Sequence, residues 1–193
     1  MGLDHGLQAE LYVKNWPHMS MDRLHFITTE GPNVKIMEAF ADNISYITYD
    51  LITWRKENHI HAWFVDHCNG GEDNNGKFFV NKEEFIEFIL TCEVIVRDWD
   101  KSEKTIKDVY NGITWEKGVH TVLTRKDEVA KDINTAKALM PTRSGFFFGS
   151  TEYDKYYIES LRHALKTFKP LIENEQFMKQ LDWGITLQYW ASW

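Results

Sequence analysis

The chain has 193 residues, with 22 basic and 29 acidic side chains, a net charge of -7 and an aromatic content of 15%. This length suits a single domain over residues 1–193 with a sizeable core, and the aromatic content excludes a disordered chain. The acidic balance repels polyanions and disfavours nonspecific binding to nucleic acid, although a few inward-pointing donors could still bind one small anion.

The N-terminal sequence and the cysteine content both indicate a cytoplasmic protein. The chain begins MGLDHGLQAE, which lacks the basic and then apolar pattern of a signal peptide, and Gly6 stands where a myristoylation motif needs Ser or Thr. Cys68 and Cys92 are the only cysteines, which suits a reducing compartment. No apolar run approaches the roughly 18 residues of a membrane span, so we expect no membrane partner.

The first part of the chain predicts a strand and a long helix. Leu7–Lys14 alternates apolar and polar residues, as a half-buried strand does. Between Ser45 and Cys68, side chains of one predicted helical face recur in steps of three and four residues. The members of this face are Ile47, Leu51, Trp54, Asn58, His61, Val65 and Cys68.

The middle of the chain predicts a short strand, a capped helix and a hairpin. Lys77–Val80 is a short apolar strand that follows a polar, glycine-rich loop. Asn81 and Glu84 have the spacing of a capping box, which begins a helix that we expect to fray near Asp98. Ile113–Leu123 has the pattern of a β-hairpin with a glycine in its turn.

The last part predicts two further helices and a final strand. A third helix begins at Thr124 and ends before Pro141, and Ser150 or Thr151 caps a fourth helix. The alternation over Ile185–Ala191 predicts a strand that pairs antiparallel with the first one. The expected fold is therefore an α+β domain, with about four helices packed on a small antiparallel sheet formed by the terminal strands and the central hairpin.

Asn58 and His61 interrupt the apolar face of the predicted long helix, one turn apart. A polar group on a core-facing surface needs a partner, which is either a neighbouring loop or a ligand. Arg55 lies three residues before Asn58, and Trp54 lies one turn before it with a ring that could stack on a ligand. We therefore take these four residues as candidate ligand-binding residues, with a satisfied buried pair that fixes a loop as the alternative.

A second candidate site lies in GFFFGSTEYD, where an aromatic run turns abruptly polar. The three phenylalanine rings are expected in the core or in the wall of a cleft. Gly149 allows a sharp turn, and the free amides after it form the positive end of the predicted fourth helix, which favours an anion. The predicted anion contacts are Gly149, Ser150, Thr151 and, just upstream, Arg143. The alternative is a helix end that caps itself.

The remaining polar residues near these segments predict no metal or cofactor. His59 and His61 are two residues apart, so on a helix they point about 200° apart and cannot share an ion. Neither HExxH nor CxxC occurs, and no dinucleotide-binding, Walker or nucleophile-elbow motif is present. Lys56 and Glu57 are expected on the solvated helix surface, and His5 is expected in a flexible terminus.

Several stretches of the chain are distinctive when taken together: MGLD at Met1–Asp4, YVKNW at Tyr12–Trp16, ISYIT at Ile44–Thr48, WRKENHIHAWFVD at Trp54–Asp66 and PTRSGFFFGSTEYDKYY at Pro141–Tyr157. In these stretches the chain resembles a family of uncharacterised small proteins encoded by tailed bacteriophages and prophages. The resemblance implies a phage accessory gene and supplies no catalytic residue. The chain departs from the family pattern at His5 and Gly6 and in the loop from Asn69 to Gly76.

Together these features predict a non-catalytic phage protein, located in the cytoplasm of the infected bacterial host. We expect it to bind a small anionic, nucleotide-like ligand as a sponge that counters host antiviral signalling. The first alternative is a nucleotide hydrolase or phosphoesterase with His61 as its general acid or base. The second is a protein-binding inhibitor of a host factor that uses Trp190 and Trp193 on a terminal edge strand. A homo-oligomer is compatible with every one of these functions.

Overall fold

A computed structural model describes residues 2–12, 45–116, 118–145, 148–182 and 184–193. Over these ranges the chain forms six strands and five helices, which confirms the predicted α+β class. In chain order they are β1 (Asp4–Tyr12), β2 (Tyr46–Arg55), α1 (Asn58–Cys68), β3 (Gly76–Val80), α2 (Lys82–Lys101), β4 (Lys104–Glu116), β5 (Val119–Ala130), α3 (Asn134–Leu139), α4 (Lys155–Ile172), α5 (Glu175–Gln180) and β6 (Ile185–Ser192).

Four strands form an antiparallel sheet in the order β2-β1-β6-β3. The two terminal strands pair as predicted, with Leu7 opposite Tyr189. The last two residues of the predicted first strand, Val13 and Lys14, lie outside the described residues. Because β6 lies between β1 and β3, the prediction that the C-terminal tryptophans belong to an edge strand is wrong.

The segment from Ser45 to Cys68 is not one helix, and that prediction is wrong in its first half. Tyr46–Arg55 forms β2, and the helix begins at Asn58. The sequence YITYDLITW is rich in β-branched and aromatic residues, which pack well on a pleated sheet, and β2 pairs with β1 along its whole length. Lys56 has a φ of 68°, and this left-handed residue turns the chain from the strand into the helix.

β4 and β5 form a two-stranded sheet of their own rather than joining the main sheet. The hairpin is also longer than predicted, because β5 continues to Ala130 and pairs there with Lys104. The prediction of a helix from Thr124 is therefore wrong, and only the short α3 precedes Pro141. Strand pairing along the ribbon overrides the weak local helical pattern.

The helices α1, α2 and α4 contribute to one continuous hydrophobic core with the sheet. α2 has the predicted capping box between Asn81 and Glu84, and it continues to Lys101 rather than fraying near Asp98. On α4 the sequence spacing predicts a buried apolar stripe, of which Tyr157, Leu161, Ala164 and Phe168 are buried and Leu171 is half-buried. The core thereby holds the start of α1 beside the start of α4, and a cleft lies next to these two helix starts.

Candidate functional site

A cleft of about 600 Å³ lies between the hairpin, the junction of β2 with α1 and the loop before α4. The junction contributes Arg55, Lys56 and Glu57, which are consecutive in sequence. The other two elements contribute, among others, Tyr110 and Arg125 of the hairpin, and Gly149, Ser150, Asp154 and Tyr156 of the loop and α4. This volume falls within the range of small-molecule sites.

The cleft wall depends on a close backbone contact between the β2–α1 junction and the loop before α4. Gly149 has a φ of 87°, and a Cβ atom there would lie 2.7 Å from the carbonyl oxygen of Lys56. On its other side, the Lys56 amide donates a hydrogen bond of 2.8 Å to the carbonyl of Leu3 in the N-terminal segment. Gly149 is therefore required by its backbone angle and by the approach of Lys56.

Asn58 fixes the same loop with its whole side-chain amide. Its Nδ2 donates to the carbonyls of Phe148 and Ser150 at 2.9 and 2.7 Å, and its Oδ1 accepts from the amide of Arg143 at 2.8 Å. Asn58 is 1% exposed and does not line the cleft. Of the two interpretations of Asn58 from the sequence, its contacts match the buried residue that fixes a neighbouring loop.

The predicted anion site does not lie at a helix end. α4 begins at Lys155, and its cap is Asp154 rather than Ser150 or Thr151, so that prediction is wrong. The Asp154 carboxylate accepts hydrogen bonds from the amides of Tyr156 and Tyr157, which places a negative charge at the positive end of the helix. A second anion would be repelled there.

The other residues around this loop divide between the cleft and its exterior. Gly149 and Ser150 line the cleft, whereas Thr151 does not. The guanidinium of Arg143 pairs with Asp66 on α1 instead of pointing into the cleft. The half-buried Phe148 packs with its ring 5.4 Å from the ring of His61, and the other two phenylalanines of the run lie outside the described residues.

Trp54 and His61 lie in the interior rather than in the cleft. Trp54 is 4% exposed, and its ring stacks at 5.4 Å on the ring of His5. Both ring nitrogens of His61 are hydrogen-bonded, Nδ1 to the Tyr189 hydroxyl at 2.7 Å and Nε2 to Asp73 at 2.9 Å. Of the four candidate ligand-binding residues on the predicted long helix, Arg55 alone lines the cleft.

Most of the cleft lining was not assigned to a site from the sequence, including the residues of the hairpin and of α4. Lys56 and Glu57 line the cleft, because the strand and the left-handed turn replace the helix on which they would have faced solvent. His5 is fully buried rather than flexible. A signal for His5 was its neighbour Gly6, where a Cβ atom would lie 2.5 Å from the carbonyl of Ile52, as expected where strands approach closely.

The two arginines that line the cleft differ in how closely they are paired with carboxylates. Arg125 donates to Asp154 at 2.7 Å and to Asp127 at 2.9 Å, and its guanidinium lies 4.2 Å from the ring centroid of Tyr156. The side chain of Arg55 is 68% exposed, and its ion pair with Asp4 is 3.8 Å long. Arg125 is thus a rigid part of the wall, whereas Arg55 is available to a ligand.

Burial determines the protonation of the remaining groups in and near the cleft. The pKa of Glu57 is raised to about 7, because burial and, to a smaller extent, the nearby charge of Asp4 outweigh backbone hydrogen bonds that lower it. Burial lowers the pKa of His59 to about 3, so this cleft-lining ring is neutral and hydrogen-bonded to Ser160. Burial also raises the pKa of Cys92 and Cys68, which keeps both thiols protonated.

Comparison with known proteins finds no matching family model, no matching curated protein and no matching solved structure. Among the described helices, none combines the length and the apolar character needed to cross a membrane. Within the described ranges, no group of three or more His, Cys, Asp and Glu side chains has the geometry to hold a metal ion. An account of function therefore rests on the cleft and the groups around it.

Proposed function

We propose that this protein binds a small anionic, nucleotide-derived molecule in the cleft and releases it chemically unchanged. The observation that supports this function is the combination of a cleft of about 600 Å³ with the cationic side chains of Arg55 and Lys56 beside the rings of Tyr110 and Tyr156. Phosphate groups are bound by such cations, and bases stack on such rings. The resemblance to phage proteins supports a role as a sponge for a host antiviral signal in the cytoplasm of the infected bacterium.

The charge distribution favours one small anion over a long polyanion. The net charge of -7 repels a nucleic acid at long range, whereas the cations of the cleft act over a few ångströms. Arg55 supplies an accessible cation, since its side chain is 68% exposed and its partner Asp4 is 3.8 Å away. Such a pair is weak and exchanges readily for a bidentate contact with phosphate.

The position of His61 favours binding over catalysis. A general acid or base must come within hydrogen-bond reach of the reacting atoms, directly or through one water. His61 does not line the cleft, and both of its ring nitrogens are already bonded to Tyr189 and Asp73. The hydrolase alternative thus loses the residue on which it depended.

The test is retention of a nucleotide in an unaltered form. The protein is incubated with a panel of cyclic and linear nucleotides, and the free and heat-released fractions are analysed by mass spectrometry. We expect one ligand to be depleted from solution and recovered intact on heating. Recovery of a chemical product would establish an enzyme instead, and depletion of no nucleotide would refute the proposal.

A pair of matched variants locates the binding site. Arg55→Ala should weaken binding of the retained nucleotide by about 10- to 100-fold, which is the value of one charge-assisted contact. Arg97→Ala is the control, because Arg97 is also exposed and also paired with an adjacent aspartate, but lies on α2 outside the cleft. Equal affinities of both variants would place the ligand elsewhere.

A further inference from the structure

A chain of hydrogen-bonded side chains crosses the interior from Asp73 to His5. Asp73 Oδ1 lies 2.9 Å from His61 Nε2, and His61 Nδ1 lies 2.7 Å from the Tyr189 hydroxyl. The same hydroxyl lies 2.9 Å from His5 Nδ1. At the end of this hydrogen-bonded series, His5 Nε2 lies 4.0 Å from Oε2 of Glu57, which lines the cleft. The chain thus extends from a partly exposed carboxylate to the cleft.

The chemistry of these groups determines the direction of the hydrogen bonds. A carboxylate only accepts, so His61 carries its proton on Nε2 and donates it to Asp73. His61 Nδ1 then accepts from the Tyr189 hydroxyl, whose oxygen accepts from the Nδ1–H of His5. Burial lowers the pKa of His5 and of His61 and raises that of Tyr189, which keeps all three neutral. The Nε2 atom of His5 is consequently left without a proton.

The cleft end of this chain contains unpaired acceptors. His5 Nε2 and Glu57 Oε2 are both buried and both lack a hydrogen-bond partner. When Glu57 is ionised, two acceptors face each other at 4.0 Å with no hydrogen between them. A buried acceptor without a donor is unfavourable, and one added proton would satisfy both atoms after a closure of about 1 Å to ordinary hydrogen-bond length.

We propose that Glu57 Oε2 and His5 Nε2 share one proton when an anion occupies the cleft, so that binding takes this proton up from solution. The proposal rests on the proposed function for its ligand. No covalent bond forms or breaks in the ligand: the proton comes from solvent, adds to the Glu57 carboxylate and is donated to His5. The cleft then accepts the ligand without the negative charge of Glu57 next to it.

The surroundings of Glu57 favour this coupling. Within the described ranges, the charged and titratable groups that line the cleft with Glu57 are Arg55, Lys56, His59, Tyr110, Arg125, Glu152, Asp154, Tyr156 and Tyr157. Asp4, His5 and Tyr189 interact with Glu57 from outside this lining. Burial, the largest cause, and the negative charge of Asp4 already raise the pKa of Glu57 to about 7. A further negative charge in the cleft acts in the same direction as Asp4.

The first experiment needs no nucleotide. Side-chain carboxyl groups are titrated by carbon-detected NMR, with and without millimolar inorganic pyrophosphate as the anionic probe. We expect Glu57 to titrate near neutrality in the free protein, and pyrophosphate to raise that midpoint by half a pH unit or more. Titration below about pH 5 would mean that a water separates the two acceptors, and it would overturn the shared proton. A midpoint that pyrophosphate leaves unchanged would overturn the coupling.

The second experiment counts the protons. Calorimetric titrations with pyrophosphate in buffers of different ionisation enthalpy should show an uptake at Glu57 of about a quarter of a proton at pH 7 if the midpoint rises by half a unit, and of up to about half a proton at pH 7 if it rises further. Glu57→Gln, whose amide can donate to His5 in place of the proton, should bind with a smaller uptake, which is the part that pyrophosphate itself takes up. Glu128→Gln, an exposed glutamate on β5, is the control and should retain the full uptake. An uptake in Glu57→Gln equal to that of the wild type would refute the assignment to Glu57.

The two proposals fail in different ways. If Glu57 titrates near neutrality and responds to pyrophosphate but no nucleotide is retained, the proposed ligand is wrong and the shared proton stands. If a nucleotide is retained while Glu57 titrates as an ordinary carboxylate, the shared proton is wrong and the binding function stands. His5→Ala provides a final check. It removes the acceptor for the shared proton, so the titration midpoint of Glu57 should fall. If burial alone raises the midpoint, His5→Ala should leave it unchanged.

Discussion

Replacing Asn58 with Asp is the most direct test of how the cleft is held together. The two side chains have the same size, but Asp offers no N–H group to the carbonyls of Phe148 and Ser150, which now accept at 2.9 and 2.7 Å. Two hydrogen bonds of about 1 kcal/mol each are lost, and a carboxylate that is 1% exposed must face two carbonyl oxygens or become protonated. We expect a total loss of about 3–5 kcal/mol in the free energy of unfolding.

Urea unfolding measures the loss, and hydrogen exchange of the amides in residues 143–150 localises it. Asn58→Ala should lower the free energy of unfolding by about 3 kcal/mol, roughly 1 kcal/mol for each of three hydrogen bonds. It should also increase amide hydrogen exchange in the same loop. Asn134→Asp, at an exposed position that begins α3, is the control for the charge change and should cost little. A loss below 1 kcal/mol together with lost ligand binding would mean that Asn58 contacts the ligand instead of the loop.

The remaining predictions concern the cleft wall, its exterior and Glu57. Gly149→Ala should lower the free energy of unfolding in urea by about 1 kcal/mol or more beyond the loss caused by Gly118→Ala. Both glycines have a positive φ, but only Gly149 is closely approached by another residue, Lys56. Equal losses would show that this contact is unimportant. Arg143→Ala should change nucleotide affinity by no more than about twofold and lower the free energy of unfolding by less than about 1 kcal/mol, because the ion pair of Arg143 lies outside the cleft. A tenfold loss of affinity would show that Arg143 contacts the ligand. The pKa of Glu57 rises from 4.5 to about 7 on folding, so the folded state binds more protons than the unfolded state between these pH values. The wild type should therefore lose up to about 3 kcal/mol of unfolding free energy as the pH rises from about 4.5 to 7, whereas Glu57→Gln should lack this loss. Parallel curves of stability against pH for the two proteins would contradict the raised pKa.

The elements that could be predicted from the sequence are those whose signals are local. The capping box of Asn81 and Glu84, the alternation of the two terminal strands and the buried stripe of α4 are each contained within one segment, and each is confirmed. The segment from Ser45 to Arg55 could not be assigned in this way. Its apolar spacing fits a helix, but β2 gains backbone hydrogen bonds from β1, a partner remote in sequence.

The site was predictable only in part for the same reason. A helical period placed Arg55, Asn58 and His61 on one side and turned Glu57 away, and the left-handed turn at Lys56 reverses that arrangement. Polar residues at buried positions were still recognised as needing partners. Their partners were not predictable, since Asn58 bonds to a loop about ninety residues away and His61 to Tyr189 on the last strand.

By itself, the sequence determined the α+β class, the antiparallel pairing of the terminal strands and the need for the polar side chains at Asn58 and His61 to be satisfied. Periodicity and capping are properties of neighbouring residues, so they can be recognised without a fold. The tertiary structure alone decided which groups line the cleft and which acceptors remain unpaired, because closure of β1 against β2 and β6 brings His5 to Glu57. Proximity between remote segments, and the burial that shifts the pKa of Glu57, exist only after the core has formed.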